Sequence, residues 1–204
     1  SAISREQRLP MQNMQQFMSD SPWAGSRTIG QVQAEVRVHP VFAGGVLVLD
    51  ESADEKSGEQ SAGARRQYNG RLGKVDLCQV GVFGALVTPQ AWLWVDGELY
   101  LPENWFEPEQ AGLRQKTGIP ATTVFRTKPE LAWQIVQRLQ QAGVPFVAVA
   151  MDDLYGRNVS LCWWLDEAGI EYYGDIPANT VVYLDCPQLE TRLTKRGKPA
   201  KKKR

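Results

Sequence analysis

Apolar and polar positions alternate along the chain in two rhythms. Met11, Met14, Phe17 and Met18 recur at helical spacing and predict a short amphipathic helix within the first twenty residues. Residues 19–23 (SDSPW) break it, and residues 28–38 predict a second helix. The Gly44-Gly45 pair then introduces VLVLD at 46–50, four consecutive apolar residues that read as a central strand covered on both faces. Residues 51–70 are polar and rich in Gly and Ser, as in a long loop or hairpin. Residues 77–88 (LCQVGVFGALVT) read as a strand. Residues 92–101 (WLWVDGELYL) read as a strand pair or one bent strand, with Asp96-Gly97 as the turn. A linker rich in Pro and Glu follows. Thr127 and Glu130 form a capping box around Pro129, Leu131, Ile135, Val136 and Leu139 mark one helical face, and Gly143 ends the helix. Residues 145–150 (PFVAVA) read as another buried strand running into Asp152-Asp153. A further helix spans 160–168, and residues 170–184 are strand-like around a Pro-Ala-Asn turn.

Three successive strands predict an antiparallel meander, and the helix-linked strands then add in parallel. The fold class expected is α/β, an RNase H-like mixed sheet, incomplete at the C-terminus. The expected organisation is an N-terminal helical segment (1–40), a partial catalytic core (41–184) and a basic tail or linker (185–204).

A chain of 204 residues with 43% hydrophobic content can build a core. Five of its seven tryptophans (Trp92, Trp94, Trp133, Trp163 and Trp164) lie in runs that look buried. Nothing approaches the roughly 20 apolar residues of a membrane span, and no signal-peptide pattern opens the chain. Cys78, Cys162 and Cys186 are too scattered for a disulfide framework or a zinc site and read as reduced thiols of a cytoplasmic protein. His39 is the single histidine and has no evident orienting partner, which argues against His-based nucleophilic catalysis. Any catalytic metal would therefore be held by carboxylates, as Mg²⁺ or Mn²⁺.

Net charge is zero, but residues 195–204 hold seven of the 23 basic residues and no acid. The rest carries 16 basic against 23 acidic residues, a net of −7. The tail has the composition of a nuclear localisation signal or of a DNA-contacting linker. A second basic group, Arg65, Arg66, Arg71 and Lys74 around Tyr68, suits DNA backbone contact or a solvated hairpin surface. Arg157 suits a phosphate contact or a plain loop.

Two apolar strands each run into an acid, Asp50 and Asp152. If these strands are neighbours, their carboxylates meet at one sheet edge, where like charges are stable only if partly protonated or bridged by a cation. The plainer reading is that each acid begins a turn or caps a helix.

The segments VLVLDES, SAGARRQYNGRLGKVDLCQVGVF, LYLPENW and FRTKPELAWQIVQRLQQAGVPFVAVAMDDLYGR occur in this order within about residues 14–184. Together they resemble the transposases of bacterial insertion sequences in the DDE-superfamily endonuclease group. The resemblance implies that Asp50 and Asp152 bind catalytic Mg²⁺ or Mn²⁺, with Asp153 standing where the family often has Glu. It implies metal-dependent DNA cleavage and strand transfer at the terminal inverted repeats of a mobile element. It also implies a possible homodimer on DNA, and a cytoplasmic, nucleoid-associated protein of bacterial type. The family's third acid is a Glu on a helix well beyond residue 204. Glu167, Glu171 and Glu190 lie in no matching motif, so the chain is expected to be truncated before that residue. A catalytically inactive remnant and an RNase H-like nuclease without transposition activity are the alternatives.

Overall fold

The computed structural model describes residues 10–20 and 24–181. Helices α1 (Met11–Asp20) and α2 (Gly25–Val38) lead into strand β1 (Gly45–Glu55). Strands β2 (Arg65–Asn69), β3 (Lys74–Val87) and β4 (Trp92–Tyr100) follow. Two short 3-10 turns and helix α3 (Ala111–Lys116) connect to helix α4 (Lys128–Gln141). The chain then forms strand β5 (Phe146–Met151), helices α5 (Asp153–Gly156) and α6 (Val159–Glu167), and strand β6 (Glu171–Gly174).

The six strands form one mixed sheet, compatible with an RNase H-like fold. Its long member is β3. β1 runs antiparallel along one edge of β3 from Val46↔Val87 to Glu55↔Cys78. β4 and β2 share the other edge end to end, β4 opposite Val80–Val87 and β2 opposite Lys74–Cys78. β5 joins the free side of β1 in parallel, and β6 joins β5 in parallel.

Burial alternates along β1 as its pleat requires. Leu47, Leu49 and Ala53 are buried, and Asp50 is exposed on the opposite face. The core packs that buried face against α4, whose Leu131, Ala132, Ile135, Val136 and Leu139 are buried, and against Leu161 and Leu165 of α6. α4 starts as its residues dictate: Thr127 Oγ1 accepts from the Glu130 N–H (3.4 Å), and Glu130 Oε2 accepts from the Thr127 N–H (2.7 Å). Gly84 lets α4 approach, since a Cβ there would lie 3.0 Å from Ile135 and 3.2 Å from Leu47.

Four local readings change. The polar stretch after Asp50 is not all loop: β1 continues to Glu55, and residues 65–69 form an edge strand. Being polar on both faces, β2 shows no alternation in its sequence. Asp96-Gly97 is not a turn but lies inside β4, where Asp96 is buried against Arg138 (Nε to Oδ2, 2.8 Å) and Gly97 lies beneath the Phe83 ring. Of the strand-like stretch predicted over 170–184, the described part holds only a short strand, and residues 182–184 lie outside the described residues. That strand ends at Gly174, before a turn closed by Thr180 N–H donating to the Pro177 carbonyl. Trp92, Trp94 and Trp163 are not core residues, with 64%, 47% and 62% of their surface exposed. Trp164 does pack on the core, stacked on Trp133. The basic tail, Cys186 and Glu190 lie outside the described residues. No helix among the described residues is long and apolar enough to cross a membrane.

Candidate active site

The β1–β5 pairing places the two acids: Asp152 follows the end of β5, whereas Asp50, read as a strand end, lies within β1 where its pairing with β5 stops. The last parallel pair is Leu49↔Met151, and Asp50 and Asp152 each follow one residue later. Neighbouring strands run about 4.8 Å apart, so the two acids emerge side by side at the sheet edge. Both line a cleft of about 800 Å³ between β1, β5 and β6. A more apolar groove of about 640 Å³ lies between α2 and β4 and contains neither acid.

The backbone holds each carboxylate. Asp50 Oδ1 accepts from the Glu51 N–H at 2.7 Å. Asp152 caps α5, its Oδ1 accepting from Leu154 N–H (3.0 Å) and Tyr155 N–H (3.4 Å). The capping role foreseen for an acid at a strand end is thus real at Asp152, and it coexists with facing the cleft. Asp153 is exposed in the first turn of α5 and does not line the cleft.

Burial against the cleft walls raises the Asp50 carboxyl above its ordinary range, and the neighbouring Glu51 adds to this, against the pull of the Glu51 N–H and Lys128. Burial likewise raises Asp152. The Tyr155 and Leu154 N–H groups oppose it, and the charges of Glu51 and Asp50 add to it. Asp152 therefore lies in the field of Asp50, as their strand positions lead one to expect. Tyr155 is fully buried behind them, and its hydroxyl is pushed far up by burial first and then by Glu51, Asp152 and Asp50.

Three residues that the sequence did not single out complete the surroundings. Glu51 pairs with Lys128 (Nζ to Oε1, 2.8 Å). Asp175, just past β6, lines the same cleft, its N–H bonded to the Met151 carbonyl at 3.1 Å. The close approach of β6 explains Gly156: a Cβ there would lie 2.3 Å from the Asp175 carbonyl oxygen and 2.9 Å from Gly174. Gly156 thus makes room for the chain's own backbone. Lys128 carried only a helix-start signal in the sequence, and Asp175 no signal at all.

The basic cluster is not at this site. Asp50 lies opposite Phe83 of β3, whereas β2 pairs with residues 74–78 of that strand. At about 3.3 Å per residue the arm begins some 15–30 Å away. Within it, Arg65 lies over the Trp105 ring (5.2 Å) and near Glu59 (3.8 Å), Arg71 pairs with Glu55 (2.7 Å), and Lys74 pairs with Asp76 (3.0 Å). Arg66 and Arg157 are exposed and form no ion pair among the described residues.

The geometry matches a relationship visible across the whole chain. Residues 2–204 match the family described as DDE superfamily endonuclease. The chain belongs to that family. A curated relative, described as a probable transposase for insertion sequence element IS701 in Microchaete diplosiphon, is 29% identical over 181 residues. The match covers 84% of this chain and 42% of that relative, so the chain spans less than half of the relative's length. No solved structure matches the chain. DDE superfamily endonucleases generally use divalent metal ions. Asp50 and Asp152 together would offer such an ion a set of hard carboxylate oxygens in one cleft. It is a partial set, because no three Asp, Glu, His or Cys side chains among the described residues are grouped to enclose a metal.

Proposed function

We propose that this chain carries the first two metal-binding carboxylates, Asp50 and Asp152, of a transposase that cleaves and transfers DNA strands at the ends of an insertion sequence. The observation that supports this reading is the parallel β1–β5 register, which sets the two acids at one sheet edge. Membership of the endonuclease family and the transposase relative support the substrate. In this reading Asp50 and Asp152 orient a bound Mg²⁺ or Mn²⁺, and the N–H groups of Glu51, Leu154 and Tyr155 hold their oxygens in place. The bound ion would supply activation of the attacking oxygen and charge relief at the leaving oxygen of a phosphodiester. The third carboxylate comes from outside the described residues. DNA backbone is contacted by Arg66 and Arg157, with Arg65, Arg71 and Lys74 supporting the arm, and a homodimer assembles on the terminal inverted repeats.

One observation favours a second reading, an RNase H-like nuclease without transposition. Asp175 lies in the same cleft and is an acid within this chain that a metal could use. The deciding experiment is Mg²⁺- or Mn²⁺-dependent nicking of DNA carrying element ends. It compares the 204-residue chain, its Asp50→Ala and Asp175→Asn variants, and a chain extended by a family-like C-terminal segment. The transposase reading requires that the extended protein cut, that Asp50→Ala abolish cutting and that Asp175→Asn leave it. Cutting by the 204-residue chain that depends on Asp175 would replace it with the nuclease reading.

A further inference from the structure

Behind the cleft the fold buries a cation that the reading above does not use. Lys128 is the first residue of α4, and its Nζ reaches 77 residues back along the chain to Glu51 Oε1 at 2.8 Å. Both side chains are about four-fifths buried, with 20% and 22% of their surface exposed. The ammonium also lies 5.7 Å from the Tyr100 ring centre. The capping box of Thr127 and Glu130 fixes the backbone that bears it.

Glu51 follows Asp50 on β1, so strand alternation sends its side chain to the opposite face, toward Tyr155. There its Oε2 is buried with no hydrogen-bond partner, and so is the Tyr155 hydroxyl. Glu51 nonetheless lies close enough to Tyr155 to disfavour ionisation of its hydroxyl, by charge and by hydrogen bonding. The charge of Glu51 reaches both Asp50 and Asp152, and the Lys128 ammonium paired with Glu51 also reaches Asp50. Removing that ammonium would leave Glu51 a mostly buried, unpaired charge beside the cleft.

Building on the metal-site reading above, we infer that Lys128 acts through Glu51: by neutralising that carboxylate on the far side of β1 it sets how strongly the Asp50–Asp152 pair draws a divalent ion. A lysine serving only to hold α4 in place would, when lost, loosen the site and weaken ion binding. A lysine that balances charge would, when lost, tighten it.

The test is Mn²⁺ binding to the 204-residue chain, followed by electron paramagnetic resonance of the free ion, so that no turnover is needed. Lys128→Met is expected to bind Mn²⁺ roughly tenfold more tightly, and Glu51→Gln roughly tenfold more weakly, on the scale of one unit charge a few ångströms from the ion. The double variant, with both charges gone, returns to within about threefold of the wild type, and so does Lys128→Arg. Unchanged or weakened binding in Lys128→Met overturns the inference. If that variant does not fold, Glu51→Gln decides, and an unchanged affinity there overturns it. Wild-type binding that is indifferent to Asp50→Asn and Asp152→Asn removes the metal-site reading itself, and this inference falls with it. Binding that depends on both aspartates but not on Lys128 or Glu51 removes the inference alone.

Discussion

Where β5 ends beside the middle of β1, Asp152 lies in the field of Asp50, and the nearby Lys128 ammonium is paired with Glu51. In the arm formed by β2 and the start of β3, Arg65, Arg71 and Lys74 each have an acid within 4 Å, and Arg65 also has an aromatic ring beneath it. Both regions are dense in charge, but the fold balances one and leaves the other strained. Like charge gathered in a cleft is a cost that a bound cation would relieve, as in the metal-site reading proposed above. The arm's charges need no such explanation, because they are largely satisfied by neighbours.

The largest expected effect tests the strained region directly. In the extended protein, Asp50→Asn or Asp152→Asn is expected to reduce Mg²⁺-dependent nicking by on the order of 10²–10³-fold or more, as for loss of a group that stabilises developing charge. Residual cutting near the wild-type rate would show that the unbalanced pair has no catalytic role. Next in size is Gly156→Ala. The added methyl would meet backbone at Asp175 and Gly174, which cannot swing aside. It is expected to cost about 1–3 kcal/mol, read as a lower urea midpoint.

The arm supplies the contrast. Arg65→Ala removes the contact over Trp105 and should lower stability by about 1 kcal/mol. Arg66→Ala should leave the urea midpoint within the scatter of ordinary surface changes. It should nonetheless weaken DNA binding and flatten its salt dependence by about one phosphate contact. Equal effects of the two substitutions on stability would blur the distinction between a satisfied arginine and a free one.

The smallest expected effect has a sign that discriminates. Burial raises both aspartates above an ordinary value of 3.8, so the folded state holds their protons more tightly than the unfolded chain does. Their ionised forms therefore cost stability, in full above the raised folded-state pKa and not at all below the unfolded one. Asp50→Asn and Asp152→Asn should melt slightly higher than wild type at neutral pH, and Asn can still cap α5. That advantage should vanish as the pH falls through the raised range. A lower melting temperature at neutral pH would mean that the pair is not strained.

Much of this arrangement was legible in the residues because local chemistry and tertiary packing agree there. The capping box at Thr127 and Glu130, the apolar run 46–49 and the Gly143 stop each specify a backbone state that packing then uses. Asp152 was legible as the residue that follows a strand, Asp50 was read as a strand end although β1 runs on to Glu55, and the parallel β1–β5 register brings the two together. β2 was not legible, because an edge strand polar on both faces has no period to read. Asp96-Gly97 imitates a turn, and pairing with Gly84 and Phe83 of β3, with Arg138 42 residues away as the partner of Asp96, makes it a strand interior. Glu51–Lys128 and Asp175 depend on contacts between distant segments, which no spacing along the chain encodes.

The connectivity of the sheet has a consequence in time. β1, β3 and β4 are joined by local antiparallel pairings, whereas β5 meets β1 only after a loop of roughly 100 residues has closed. Contacts of such long separation form late in folding. Asp50 is therefore set by an early meander and Asp152 by a late docking, so no half-folded chain presents the pair. A nascent chain would hold its two acids apart until β5 has docked.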